Sequence, residues 1–215
     1  MYHLLIINGW SANRFFWDAF INDLPDCFAP QIIDLDSSIG LTECSELIDT
    51  HIQDNTLLMG WSLGGMLAAK YAARSTKRFL GLVTLQAGPC FVEKEDWPYG
   101  LAIDDLKALR ELVESQNLKL LVRNFSNLLV SGSQYHKEDR RQLKPVYTEN
   151  HLYDVSSLLA GLDLLLSFDL RKDYRAINVP MIAIFGEQDV LVSAKQVDEL
   201  KVFSALHEYC VIKNM

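Results

Sequence analysis

The sequence predicts an α/β fold built on a mostly parallel sheet with helices on both faces. Short apolar runs alternate with helical periods from the first residues onward. The apolar runs are continuous rather than alternating, as strands buried on both faces are. A single stretch, residues 95–170, breaks this rhythm with helical periods alone and is expected to be an inserted cap, leaving 1–94 and 171–215 as the core. A chain of 215 residues suits such a one-core design.

The first strand is expected at residues 4–7 (LLII), closed by Asn8-Gly9. Residues 14–24 follow with Phe16, Phe20 and Leu24 on one helical face. A second strand, 31–35, precedes a helix over 43–52 that Thr42 could cap. Residues 56–60 (TLLMG) form a third strand, and the small residues of 63–73 a slim helix behind it. A fourth strand is expected at 79–85 (FLGLVTL). Parallel neighbours require crossovers, and βαβ crossovers are right-handed. Helical periods then recur at 103–113, 118–129 and 155–166. The sheet resumes at 179–185, with Pro180 at a strand start where its missing N–H is tolerated. A helix over 193–205 and a last strand over 208–212 complete the pattern.

Composition sets bounds on function. Apolar residues make up 49% and charged residues 22%, which excludes a disordered or fibrous chain. The net charge of −8 gives no support to nucleic-acid binding. Cys27, Cys44, Cys90 and Cys210 are widely spaced and suggest reduced, mostly buried thiols rather than a metal site or disulfide framework. No apolar run reaches membrane-spanning length and no basic leader precedes residues 4–7. A cytoplasmic monomer without metal or cofactor is expected.

The chemistry centres on Gly60-Trp61-Ser62-Leu63-Gly64. A G-x-S-x-G motif between a strand and a helix is the nucleophile elbow of an α/β-hydrolase. The turn presses together the residues two before and two after the serine, so glycine is required at both. Outside that context the motif would be only a glycine-rich turn. An oxyanion hole needs two convergent N–H donors. Leu63 supplies one, and the loop Asn8-Gly9-Trp10 supplies the other through Trp10, unless that ring is simply core. The triad acid belongs at the end of a later strand, in the order Ser…Asp…His. Asp189 in Gly186-Glu187-Gln188-Asp189 fits, with Glu187 as its neighbour and helix capping as the alternative role. A base is harder to find. His3 and His207 fall at strand starts, His51 on a helix, and His136 and His151 in the insertion.

These motifs resemble a known family. Asn8-Gly9-Trp10, Gly60-Trp61-Ser62-Leu63-Gly64-Gly65, Gly88-Pro89-Cys90-Phe91, Asp96-Trp97-Pro98, the run 166–171 and the stretch 180–189 are similar to the pimeloyl-acyl-carrier-protein methyl ester esterases of biotin synthesis. The resemblance implies a serine carboxylesterase that removes a methyl group from a carrier-bound pimeloyl ester. It implies Ser62 as nucleophile, Asp189 as acid, Trp10 and Leu63 as oxyanion donors, and Phe125 lining the acyl pocket. Two departures are visible: Asn8 replaces the usual histidine before Gly-Trp, and the Gly-His-Ala-Pro-like segment expected after the last strand is absent from these residues. The natural protein is therefore expected to continue past Met215 with a histidine.

The implied partner is an acyl carrier protein, which is acidic. Between residues 115 and 145 stand six basic residues, Lys119, Arg123, Lys137, Arg140, Arg141 and Lys144, against Glu138 and Asp139. Lys137, Arg140 and Arg141 are the expected docking residues, set against an ordinary solvated helix face. Other functions compatible with the elbow are a general short- or medium-chain carboxylesterase, an acyltransferase, a C–C hydrolase, or a non-catalytic binding protein if no histidine exists.

Overall fold

The computed structural model describes residues 1–35, 41–148, 152 and 154–214. Six strands, β1 (Tyr2–Ile7), β2 (Phe28–Ile33), β3 (Thr56–Trp61), β4 (Gly81–Leu85), β5 (Met181–Gly186) and β6 (His207–Ile212), form one sheet in the order β2-β1-β3-β4-β5-β6. Every pairing is parallel. In a parallel sheet all strands end on the same edge, so Asn8, Ser62, Gln86 and Glu187, each just past or near a strand's carboxyl end, gather along one rim.

Successive side chains leave opposite faces of a strand. One face carries Leu5, Ile7, Leu58 and Leu82 into a core shared with α3 (Leu63–Arg74). Helix α3 packs between α2 (Leu41–His51) and α8 (Arg171–Ala176). The other face sends Leu4, Ile6 and Met59 against Trp17, beside α1 (Asp18–Asn22). This second face is covered over only part of its width. Leu57, Val83, Leu85, Ile184 and Ile212 line an open apolar groove of about 580 Å³, and Ile182 is 43% exposed.

Between β4 and β5 come α4 (Ile103–Glu114), α5 (Leu118–Val130), α6 (His136–Val146) and α7 (Val155–Ser167). Helix α6 escapes sequence periodicity because it buries no residue and carries Pro145 in its last turn. Several expectations need correction. The helix foreseen over 14–24 is a 3-10 turn at Arg14–Trp17 followed by the short α1. Strand β2 begins three residues before the predicted 31, because it is an edge strand and tolerates Pro30 within it. The helix expected over 193–205 is a 3-10 turn, Ala194–Gln196, continued by α9 (Val197–Leu200). Helix α2 begins at Leu41, which places Thr42 inside it rather than at its cap, and of the four cysteines expected to be mostly buried Cys27 and Cys210 are exposed. His151 lies outside the described residues.

Candidate active site

Ser62 stands between β3 and α3 with φ 52° and ψ −121°, a conformation that non-glycine residues adopt at a cost of about 1–3 kcal/mol. The surroundings hold it there. Ser62 N–H donates to the Leu85 carbonyl at 2.9 Å, and the Ser62 carbonyl accepts from Met66 N–H at 3.1 Å. A Cβ on Gly60 would lie 2.4 Å from the Gly64 carbonyl oxygen. One on Gly64 would lie 2.2 Å from the Asn8 carbonyl oxygen, so this glycine seats the helix against the loop after β1. Sharp turning and close helix approach are both met by the residues the motif demands.

The N–H groups of Trp10 and Leu63 have no acceptor among the described residues. Leu63 opens α3, where orphan N–H groups and the helix dipole favour negative charge. The Trp10 ring is buried yet has more than a packing role. Its Nε1–H donates to the Leu158 carbonyl at 2.9 Å, tying the loop after β1 to α7. It also meets Phe125 of α5 edge-on at 5.0 Å. Gly161 permits this approach, since a Cβ there would come within 2.5 Å of the indole. Asn8 is fully buried, accepts from Trp17 Nε1–H and donates to Asp34. The asparagine thus supports the loop through bonds of its own.

Asp189 follows β5 and lines the same cavity as Ser62. Its Oδ1 accepts N–H bonds from Leu191 at 2.7 Å and Val192 at 2.8 Å, so the carboxylate also shapes its own turn. The 3-10 turn beyond is capped by Ser193, not by Asp189. Burial holds the Asp189 carboxyl above the usual range, and the two N–H donors oppose that shift. Glu187, by contrast, is exposed at the sheet edge near Asn214.

The Ser62 cavity is walled by Trp10, Phe91, Leu106, Phe125, Leu162 and Leu165, and measures about 30 Å³. It adjoins an outer cavity of about 610 Å³ through Trp61, Gln86, Leu129 and Asp189, which border both. Sequence reasoning missed Gln86 and gave no role to Phe91, which it met only within Gly88-Pro89-Cys90-Phe91. A polar residue ending the apolar run VTL was the available signal for the first.

No histidine among the described residues lines either cavity. His3 bonds Thr56 and Gln31 at the start of β1; His51 bonds the Leu47 carbonyl. His136 opens α6, and His207 opens β6 beside Tyr209. The basic residues of 115–145 separate into two groups. Arg140 lines a groove of about 700 Å³ with Lys119, Arg123 and Lys144, between α5 and α6. Arg141 pairs with Glu138 at 2.7 Å, and Lys137 is exposed away from the groove. Among the described residues no cluster of side chains suits a metal ion, and no helix is long and apolar enough to cross a membrane.

The sequence profile of the family described as alpha/beta hydrolase fold matches residues 42–214. The chain belongs to that family. A pimeloyl-[acyl-carrier protein] methyl ester esterase of Salmonella agona is 30% identical over 203 residues, covering 91% of this chain and 78% of that protein. One from Yersinia enterocolitica is 28% identical, over 89% of this chain and 77% of its own length. An esterase from Exiguobacterium antarcticum superposes with a TM-score of 0.81 at 19% identity, covering 98% of this chain and 83% of the other. A bromoperoxidase from Bacillus anthracis gives 0.81 at 18% identity, over 99% and 84%. At that identity the superpositions speak to the fold alone.

Proposed function

We propose that this α/β hydrolase is a serine carboxylesterase that hydrolyses the methyl ester of a pimeloyl chain carried on an acyl carrier protein. The observation that carries this reading is the elbow at Ser62 opening on a cavity that Asp189 also borders, in a chain related to esterases of that name. Ser62 Oγ attacks the ester carbonyl, and its proton passes to a base that Asp189 orients. The developing oxyanion is taken by the N–H groups of Trp10 and Leu63. Methanol leaves with the base's proton, and water then releases the acid. The apolar walls around Phe125 receive the carbon chain. Residues 95–170 act as the cap over this site, and 1–94 with 171–215 as the core.

No base is assigned, because no histidine among the described residues borders either cavity. Asn214, just past β6, borders the outer cavity together with Asp189. Docking of the acidic carrier is assigned to Arg140 of the expected set, acting with Lys119, Arg123 and Lys144, while Lys137 and Arg141 contribute long-range attraction. The test is an ester panel of increasing acyl length against the natural full-length protein and its Ser62→Ala variant. Turnover that varies with chain length and vanishes in the variant is expected. Equal turnover in both proteins would refute the assignment.

A further inference from the structure

Gln86 follows β4, the strand lying between the Ser62 strand β3 and the Asp189 strand β5. Its backbone sits in the left-handed region at φ 46°, pinned by an N–H bond to the Ile184 carbonyl at 2.9 Å. Gln86 borders the Ser62 cavity, the outer cavity and the apolar groove on the second sheet face, and its Oε1 is buried without a hydrogen-bond donor among the described residues. A buried acceptor left unpaired is costly, so such atoms call for a partner.

The chemistry of the proposed reaction narrows that partner. A carboxylic ester has no hydrogen-bond donor at its reacting end. The donors that enter the site are the O–H of the departing alcohol and the O–H of the water that resolves the acyl-enzyme. The cavity bordered by Ser62, Gln86 and Asp189 is about 30 Å³, above the ~10–15 Å³ that one ordered water requires. It also offers the several polar neighbours such a water needs.

We infer that Gln86 is a water-positioning residue, its Oε1 accepting a hydrogen bond from the water that attacks the Ser62 acyl-enzyme. This rests on the esterase reading above. In the step, the water oxygen bonds to the acyl carbon and gives one proton to the base, while its second O–H points at Gln86. The bond between Ser62 Oγ and the acyl carbon then breaks, and the base returns the proton to Oγ. The carboxylic acid leaves with the water's oxygen. The departing alcohol has a single O–H, which carries the proton from the base, whereas water has a second, so Gln86 matters to the second half-reaction alone.

The test compares Gln86→Leu, which removes the acceptor, with Gln86→Glu, which keeps an acceptor oxygen in place. Stopped-flow kinetics with p-nitrophenyl acetate separate the burst of acylation from the steady state. For Gln86→Leu the burst rate stays within about twofold, deacylation slows on the order of tenfold, and KM falls with kcat because acyl-enzyme accumulates. Gln86→Glu restores deacylation to within a few-fold of wild type. Burst and steady state falling together, or deacylation unchanged in Gln86→Leu, would overturn the inference. A wild-type protein that forms no Ser62 adduct by mass spectrometry would instead refute the esterase reading. A crystal structure of the same chain gives a readout independent of turnover. Water within hydrogen-bond distance of Gln86 Oε1 on the Ser62 side is expected, and an Oε1 paired with a protein N–H would overturn the assignment.

Discussion

Replacing Gly64 by alanine tests how the elbow and the loop after β1 are joined. The added Cβ would stand 2.2 Å from the Asn8 carbonyl oxygen, 2.3 Å from that of Ile7 and 2.7 Å from the Ile7 carbonyl carbon. All three are backbone atoms, so no side-chain rotation relieves the contact. Helix α3 and the loop after β1 must part by about 1 Å, a displacement at a catalytic constellation that costs on the order of 10²-fold in rate. That loss corresponds to about 2.7 kcal/mol of transition-state stabilisation. Stability should suffer less. Overpacking costs about 1–3 kcal/mol, and alanine's better helix propensity returns up to about 1 kcal/mol. For a chain of this size the remainder lowers Tm by several degrees, at ~2–4 °C per kcal/mol. The assay is kcat/KM on a small free ester beside a thermal melt of the same preparation. A Gly64→Ala protein with wild-type kcat/KM would refute the reasoning, as would a loss wholly explained by the unfolded fraction.

Three further outcomes are expected. Ser62→Gly and Ser62→Ala should both lose turnover, but glycine accepts φ 52° without strain, so the glycine variant should be more stable by about 1 kcal/mol in urea unfolding; an alanine variant of equal or greater stability would deny strain at the elbow. Asp189→Asn should keep the turn, because an amide oxygen can still accept from Leu191 and Val192, while kcat falls on the order of 10⁴-fold. Because burial raises the Asp189 carboxyl in the folded state, the wild type loses stability as pH rises from the ordinary carboxylate range through the folded value. The asparagine variant should therefore gain relative stability across that window and match the wild type below it, and a gain at acid pH instead would contradict the burial effect. Arg140→Glu with Lys144→Glu should slow hydrolysis of a carrier-bound ester several-fold at low salt and spare a free ester; equal effects on both substrates would return this groove to ordinary surface.

Much of this site was legible in local sequence because its chemistry is local. The elbow is a steric problem solved within Gly60–Gly65, and the strand before it and helix after it are short-range patterns. Asp189 was one of two carboxylates readable in the four residues after MIAIF, and only the cavity it shares with Ser62 sets it apart from Glu187. What escaped is what depends on neighbours far apart in the chain. Helix α6 has no apolar stripe to read, and β2 hides behind Pro30 until its edge position is known. The joining of Trp10 to Leu158 spans 148 residues. Charge counting found the basic character of residues 115–145, yet only geometry separates Arg140, which lines a groove with Lys119, Arg123 and Lys144, from Arg141, which Glu138 occupies. Gln86 was passed over because a glutamine after a strand looks like ordinary loop polarity until its buried oxygen is seen.

The most direct test of the central claim is hydrolysis of a carrier-bound pimeloyl methyl ester by the natural full-length protein, followed by intact mass of the carrier. The substrate should lose the mass of one methylene as methyl ester becomes free acid, methanol should appear in equal amount, and Ser62→Ala should leave the carrier unchanged. A carrier that keeps its methyl ester, or loses it equally in the presence of the alanine variant, would contradict Ser62 as the nucleophile of this esterase.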